Sequence, residues 1–192
     1  MTKKILIING NPKQSSYVKR LCDLYAISAK KNHSVKIHNL SLMQFNPSLD
    51  DGYDDIQKLE PCLVEFQEAT HWADHVVIIA PVWWGTVPAK LKGLFDRALL
   101  PGVAFNYEAG NPLPIQLLTG KTSRIILTMD TPPEYYLTEQ SAPAIAQLDI
   151  CTLQFCGFEK AAHNLFGPIV DSPDEERATW EKEVSELGLR GA

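Results

Sequence analysis

The feature that most constrains the fold is a near-continuous apolar run, His75–Ala80 (HVVIIA), which ends at Pro81. Such a run is typical of a strand that is buried on both faces of a parallel sheet. Two adjacent tryptophans, Trp83 and Trp84, follow, and then an amphipathic helix. A strand, a loop and a helix in this order predict an open α/β sheet, in which ligands bind beyond the carboxyl ends of the strands.

Four further segments are predicted to be strands: Ile5–Ile8, Ser34–Leu40, Thr122–Met129 and Lys160–Phe166. Segments with the apolar spacing of helices separate most of these strands. Because crossover connections between parallel strands are right-handed, this alternation favours a doubly wound, five-stranded parallel sheet with helices on both faces. We predict the strand order 2-1-3-4-5 and expect residues 1–192 to form a single domain.

The apolar spacing assigns faces to two of the predicted helices. One face of the first consists of Ile145, Leu148, Thr152 and Phe155. The solvated face of the other, which follows the tryptophans, is predicted to consist of Lys90, Lys92, Asp96 and Arg97, and the alternative for Asp96 or Arg97 is pairing across a dimer interface.

Charge and composition exclude several classes of function. The net charge is -5, which disfavours general binding to nucleic acid or to a membrane surface. No apolar run approaches the ~20 residues of a membrane span. The four cysteines form no C-x-x-C pair, and the break predicted between His71 and His75 argues against a shared metal site. We expect a cytoplasmic protein with free thiols and no bound metal.

The first loop of the sheet, after Ile5–Ile8, is a run of turn-forming residues that leads into a helix beginning near Ser15 or Ser16. The amide groups at a helix N-terminus form a ready anion site, and Lys13 adds a positive charge. A plain turn capped by serine explains the same residues equally well.

The loops after the third and fourth strands supply aromatic and hydroxyl side chains. Trp83 and Trp84 are interpreted either as core residues or as flat walls of a ligand site. Together with the first loop, they suit a ligand that has a phosphate at one end and a planar ring at the other. A flavin fits this description better than a resident nicotinamide dinucleotide, since no G-x-G-x-x-G motif follows the first strand.

Four stretches carry a resemblance to a known family: ILIINGNPKQSS, PVWWGTVPAKLKGLFDRALLPGVAF, TMDTPPEYY and FCGF. With these residues the chain resembles the flavodoxin-like NAD(P)H:quinone oxidoreductases, the family that includes DT-diaphorase. The likeness extends over nearly the whole chain, and the second stretch is the most specific.

The resemblance implies a tightly but non-covalently bound FAD or FMN, NADH or NADPH as hydride donor, and a quinone or similar acceptor. It also implies a homodimer with active sites at the subunit interface. The residues that it assigns to the phosphate region are Asn11, Ser15, Ser16 and Tyr17. Those around the flavin ring are Pro81, Val82, Trp83, Trp84, Gly85 and Thr86, with Thr128, Asp130 and Thr131 on the pyrimidine side. Phe105 and Tyr107 are expected to reach into the partner's pocket and line the acceptor site there. Trp84 is also expected to contact the acceptor.

The turn after the fourth strand departs from the family pattern, because no histidine follows it before His163. Proton handling is therefore assigned to Tyr135, Tyr136, Asp130 or solvent. The alternatives to a quinone oxidoreductase are an azo, nitro or flavin reductase of the same fold, and a non-enzymatic electron carrier of the flavodoxin type. A regulatory role beside a membrane transporter is a further alternative that no residue marks.

Overall fold

The computed structural model describes residues 1–192. The strands are β1 (Lys4–Asn9), β2 (Ser34–Asn39), β3 (His75–Pro81), β4 (Phe105–Asn106), β5 (Ile115–Gln116), β6 (Thr122–Thr128) and β7 (Ala162–Phe166). The helices are α1 (Tyr17–Ala29), α2 (Pro61–Trp72), α3 (Ala89–Ala98), α4 (Pro133–Thr138), α5 (Pro143–Ile145, continued as a π-helix over Ala146–Gln154) and α6 (Asp174–Arg190). None of these helices has the length and apolar character needed to cross a membrane.

Five of the strands form one parallel sheet in the order β2-β1-β3-β6-β7. Because β4 and β5 lie outside this sheet, β6 and β7 are its fourth and fifth strands in chain order. The spatial order is therefore 2-1-3-4-5, which confirms the predicted flavodoxin-like order. The remaining two strands, which the sequence pattern did not predict, pair antiparallel in a short hairpin between α3 and β6.

Helices cover both faces of the sheet, as predicted. On one face, α1 and α6 enclose a core that includes Ile5, Ile7 and Val77. On the other face, α2, α3, α4 and α5 pack against the alternate side chains, such as Leu6 and Ile78. Every residue of β3 is buried, which is what its unbroken apolar run requires.

The strands β1, β3 and β6 are neighbours and parallel. Their carboxyl ends therefore reach the same edge of the sheet, and the three predicted ligand loops begin side by side. The fold thus brings together residues from three distant parts of the chain.

The prediction for the inner face of α5 is partly wrong, because most of this helix is a π-helix. Leu148 is buried as expected, but Leu153 replaces Thr152 in the core, and Phe155 is only half-buried. A π-helix bonds residue i to i+5 instead of i+4, so a spacing of 3.6 residues assigns the wrong positions to its inner face.

The prediction that Arg97 lies on a solvated face is also wrong, since its side chain is 0% exposed. Its guanidinium donates hydrogen bonds to the Glu60 carboxylate at 2.9 Å and to the carbonyls of Asn46 and Lys58. These three acceptors belong to the long segment between β2 and α2. The arginine therefore fastens this segment to α3.

Glu60 is the carboxylate partner of this buried cation. Partial burial would raise its pKa, but the backbone N–H of Asn46 and the Arg97 guanidinium outweigh burial and lower the pKa below its usual value. A carboxyl whose folded pKa is lowered stabilises the protein above its unfolded pKa, and this stabilisation is lost as the pH falls through the folded pKa.

We predict that Glu60→Gln lowers the free energy of unfolding at pH 7 by about 1–3 kcal/mol, because Arg97 then stays buried without its counter-charge. The partial solvation of Glu60 keeps this cost below that of breaking a fully buried ion pair. The difference between variant and wild type should shrink as the pH falls below the usual glutamate range. Urea unfolding followed between pH 7 and pH 3 measures both effects.

Asp96→Asn is the matched control, because its partner Lys92 and Asp96 itself are both more than 40% exposed. We expect this change to cost less than about 0.5 kcal/mol. Parallel stability curves for wild type and Glu60→Gln across the pH range would contradict the assignment.

Candidate active site

A cavity of about 600 Å³ opens at the carboxyl edge of the sheet, between the loops that follow β3 and β6. Its lining consists of Val82, Trp84, Gly85, Met129, Asp130, Thr131 and Gln140. This volume lies in the range of small-molecule and cofactor sites. Five of the seven lining residues were predicted from the sequence, whereas Met129 and Gln140 were not.

The loop after β3 forms a tight turn over Trp83–Thr86. The N–H of Trp83 donates to the carbonyl of Thr86 at 2.8 Å, and the N–H of Thr86 donates back to Trp83 at 3.1 Å. Trp84 and Gly85 have φ values of 52° and 78°, which correspond to a type I′ turn. A tryptophan with a left-handed backbone conformation is unusual, and such strained residues cluster at functional sites.

The tip of the turn carries unused hydrogen-bond donors. The N–H groups of Trp84 and Gly85 make no hydrogen bond within the protein. Trp84 is fully exposed and Trp83 is 44% exposed, so neither is a core residue. The turn therefore offers two backbone donors and a flat side chain to a ligand in the adjacent cavity.

The first loop, which precedes α1, offers a second set of donors. Ser16 caps the helix, accepting a hydrogen bond from the N–H of Lys19, and the Asn11 side chain accepts one from the N–H of Lys13. The N–H groups from Gln14 to Tyr17 have no partner in the protein. Four free amides at the start of a 13-residue helix form a site suited to a phosphate.

The side chain of Tyr17 points elsewhere. Its hydroxyl donates to the carbonyl of Arg177, at 3.3 Å, in α6. Burial, with the nearby Glu181 carboxylate, raises the pKa of Tyr17 to about 12. Only the backbone amide of Tyr17 is therefore available to a ligand at the first loop.

The loop after β6 forms the opposite wall of the cavity. Thr128 is buried at the end of the strand, and Thr131 is half-buried. The Asp130 carboxylate is exposed and accepts a hydrogen bond from the N–H of Val170 at 3.0 Å. This bond ties the loop to the segment that follows β7, and it leaves the second carboxylate oxygen free.

The two tyrosines of α4 have different environments. Tyr135 is half-exposed, whereas Tyr136 is 0% exposed. The Tyr136 hydroxyl donates to the carbonyl of Gly85 and accepts from the N–H of Ala144. This corrects the prediction that Tyr136 is catalytic, because a buried hydroxyl with both bonds made inside the protein cannot meet an acceptor.

The aromatic residues expected to line the acceptor site also differ in exposure. Phe105 is buried, with its ring centroid 5.4 Å from that of Tyr107 and 5.0 Å from that of Phe155. The Phe105 ring is thus packed within its own chain, and its expected reach into a partner stays a prediction. Tyr107 is 65% exposed and is free to reach a partner.

These three rings border a second cavity of about 330 Å³ between α3, the β4–β5 hairpin and α5. Phe155 was assigned to a helix face and not to a site. Its membership of the FCGF stretch was the signal in the sequence that could have identified it.

Comparison with known proteins agrees with this geometry. A model of the Flavodoxin_2 family, described as having a flavodoxin-like fold, matches residues 3–188. Human ribosyldihydronicotinamide dehydrogenase [quinone] is 28% identical over 182 residues, which cover 86% of this chain and 76% of the human protein. An FMN-dependent NADH:quinone oxidoreductase of Coprothermobacter proteolyticus is 26% identical, with 69% of each chain covered.

Among solved structures, the NAD(P)H:quinone oxidoreductase of Methanothermobacter marburgensis superposes with a TM-score of 0.80. It is 20% identical, and the match covers 100% of both chains. At this level of identity the structural likeness establishes the fold alone. The family match covers almost the entire sequence, and the chain therefore belongs to the Flavodoxin_2 family.

Proposed function

We propose that this chain is a flavin-dependent NAD(P)H:quinone oxidoreductase. One observation carries the proposal: the Trp83–Thr86 turn presents two free N–H groups beside a 600 Å³ cavity, one strand away from the free amides at the start of α1. A planar ring with hydrogen-bond acceptors along one edge suits the turn, and a phosphate suits the helix. The names of the curated relatives support the same activity.

The resident group is FMN or FAD, bound without a covalent link. Residues 1–192 act as one flavin-binding domain. The amides of the Asn11–Tyr17 segment, which includes Ser15 and Ser16, bind the phosphate. The ring lies between two walls, one from each loop of the cavity. These walls consist of Pro81, Val82, Trp83, Trp84, Gly85 and Thr86 on one side, and of Thr128, Asp130 and Thr131 on the other.

When bound, the flavin accepts a hydride from NADH or NADPH and delivers it to a quinone, which takes up a proton to become a hydroquinone. The chain itself holds the ring in a fixed orientation. Trp84 provides a flat surface that excludes water and positions a planar acceptor. The exposed groups able to supply the proton are the Tyr135 hydroxyl, Asp130 and solvent.

The proposal includes a homodimer with the active site at its interface. Trp84 and Tyr107 are large, exposed aromatic side chains, and a second copy of the chain would cover them. Tyr107 and the cavity bordered by Phe155 would then complete the acceptor pocket of the partner. A cytoplasmic setting is consistent with the four free cysteines.

We predict that the protein reconstituted with FMN or FAD oxidises NADH or NADPH when a benzoquinone is present, and does so slowly without it. Absorbance at 340 nm follows the reaction, with protein that has received no flavin as the control. The same plate compares both flavins, both donors and an azo dye as an alternative acceptor.

Quinone-dependent turnover is the result that the proposal requires. Bound flavin with no turnover by either donor would contradict the enzyme and favour an electron carrier. Protein that retains neither flavin would contradict the binding site itself.

We also predict that Trp84→Ala weakens FMN binding roughly two- to tenfold, because the loss of one aromatic stacking contact costs about 0.5–1.5 kcal/mol. Fluorescence quenching of FMN by the oxidised protein measures the dissociation constant without turnover. Ile27→Ala removes an exposed apolar side chain near the end of α1 and should leave the constant unchanged. Equal affinities for all three proteins would remove Trp84 from the site.

A further inference from the structure

Tyr136 makes four hydrogen bonds although it lies on a helix of only six residues. Its hydroxyl donates to the Gly85 carbonyl at 2.8 Å and accepts from the N–H of Ala144 at 2.9 Å. Its own N–H donates to Pro132, and its carbonyl accepts from the N–H of Ala142. One buried side chain thus joins the β3 turn, α4 and the start of α5.

The backbone around this junction is strained. Ser141 and Ala142 have φ values of 57° and 44°, a left-handed conformation that non-glycine residues seldom adopt because it is strained. The bond from Ala142 to Tyr136 lies within this strained stretch, and Pro143 follows it as the first residue of α5. A Cβ atom placed on Gly85 would lie 3.5 Å from the Pro143 ring, so the turn rests against this helix start.

The Trp84–Gly85 peptide group at the tip of the β3 turn makes no hydrogen bond within the protein. The bond from the Thr86 N–H to the Trp83 carbonyl holds the peptide groups on either side of it, and the Tyr136 hydroxyl makes the one hydrogen bond that reaches the tip from outside the turn. The Trp84 side chain is fully exposed and does not hold the tip in place by packing. Gly85 also lacks a side chain, so its own conformational preferences restrict it little.

We propose that Tyr136 is a positioning residue of the flavin site. Its hydroxyl holds the Gly85–Thr86 peptide group through the Gly85 carbonyl, and so restrains the adjacent Trp84–Gly85 peptide group, which carries the free Gly85 N–H. This inference rests on the proposed function. Each peptide group is a rigid plane, so a fixed peptide plane restricts the rotations that remain to the next one. The sequence assigned Tyr136 to catalysis, whereas its contacts assign it to orienting the donors of the turn.

Orientation of these donors has a chemical consequence. Charge and hydrogen-bonding character at the edge of a flavin ring change with its oxidation state, so a donor in a fixed direction stabilises one state more than the other. Burial raises the pKa of Tyr136, which keeps its hydroxyl protonated and able to donate at neutral pH. Loss of the hydroxyl should therefore alter the ratio of affinities for oxidised and reduced flavin, and not only the stability of the fold.

Tyr136→Phe tests this inference, with Tyr25→Phe as its matched control. Tyr25 is also 0% exposed, and its hydroxyl donates to the carbonyl of Ala192 at 3.1 Å. It lies in α1, on the opposite face of the sheet from α4. Both variants lose one buried phenolic oxygen, but only Tyr136→Phe loses it next to a residue that lines the cavity, Gly85.

Three quantities are measured for the wild type and both variants: the free energy of unfolding, the FMN dissociation constant, and the two-electron midpoint potential of bound FMN. We expect both variants to be destabilised, since each leaves a buried group without its partner. Only Tyr136→Phe should weaken FMN binding, on the order of threefold to tenfold. It should also change the ratio of affinities for the two oxidation states at least threefold, a shift of about 14 mV.

Hydrogen exchange of the flavin-free protein gives a second, independent readout. The hydrogen-bonded amides of the turn, Trp83 and Thr86, should exchange faster in Tyr136→Phe than in wild type or in Tyr25→Phe, because the turn has lost the bond that holds it from outside.

Two outcomes would overturn the inference while leaving the proposed function intact. One is wild-type affinity and potential in Tyr136→Phe. The other is a loss of affinity with an unchanged potential and unchanged exchange at the turn, which would reduce Tyr136 to a packing residue. Failure of the wild type to bind either flavin would instead remove the proposed function, and the inference with it.

Discussion

The pairing of β3 with β1 on one side and β6 on the other is the constraint on which the rest of the structure depends. β3 is paired along both edges and buried on both faces, so it has no solvated surface. Its chain is first exposed where it leaves the sheet. At that point the chain must turn, and the Trp83–Thr86 turn does so within four residues. The loops after the two neighbouring strands begin at the same edge. A shared ligand site therefore follows from the strand order and not from proximity in sequence.

Two buried polar side chains fasten irregular segments to their neighbours. Arg97 holds the segment between β2 and α2 on α3, through one carboxylate and two carbonyls. Tyr136 joins the β3 turn to the start of α5. Each makes hydrogen bonds to backbone groups of these segments, which offsets the cost of burying its own polar atoms. These segments thus have a defined conformation without belonging to a helix or strand.

The sequence predicted the strands, their order and the loops that meet at the carboxyl edge of the sheet, because the apolar runs and helical spacings are strong signals. It also located the turn after β3, through two tryptophans that no core would need. The burial of Arg97 and Tyr136 was not predictable, since it depends on partners in segments with no periodic pattern. The π-helix was not predicted because its wider turn departs from the 3.6-residue spacing. The β4–β5 hairpin was not predicted because two residues per strand are too few to show an alternation of apolar and polar side chains. The roles of individual site residues stay predictions until a ligand is bound.

The most direct test of the account is a titration of the ¹⁵N-labelled protein with oxidised FMN, followed by amide chemical shifts. The account predicts that the largest changes fall on Trp84 and Gly85 in the β3 turn, and on the amides from Gln14 to Tyr17 before α1. Changes confined to other surfaces, such as the cavity beside Tyr107 and Phe155, with the turn and the first loop unaffected, would contradict it.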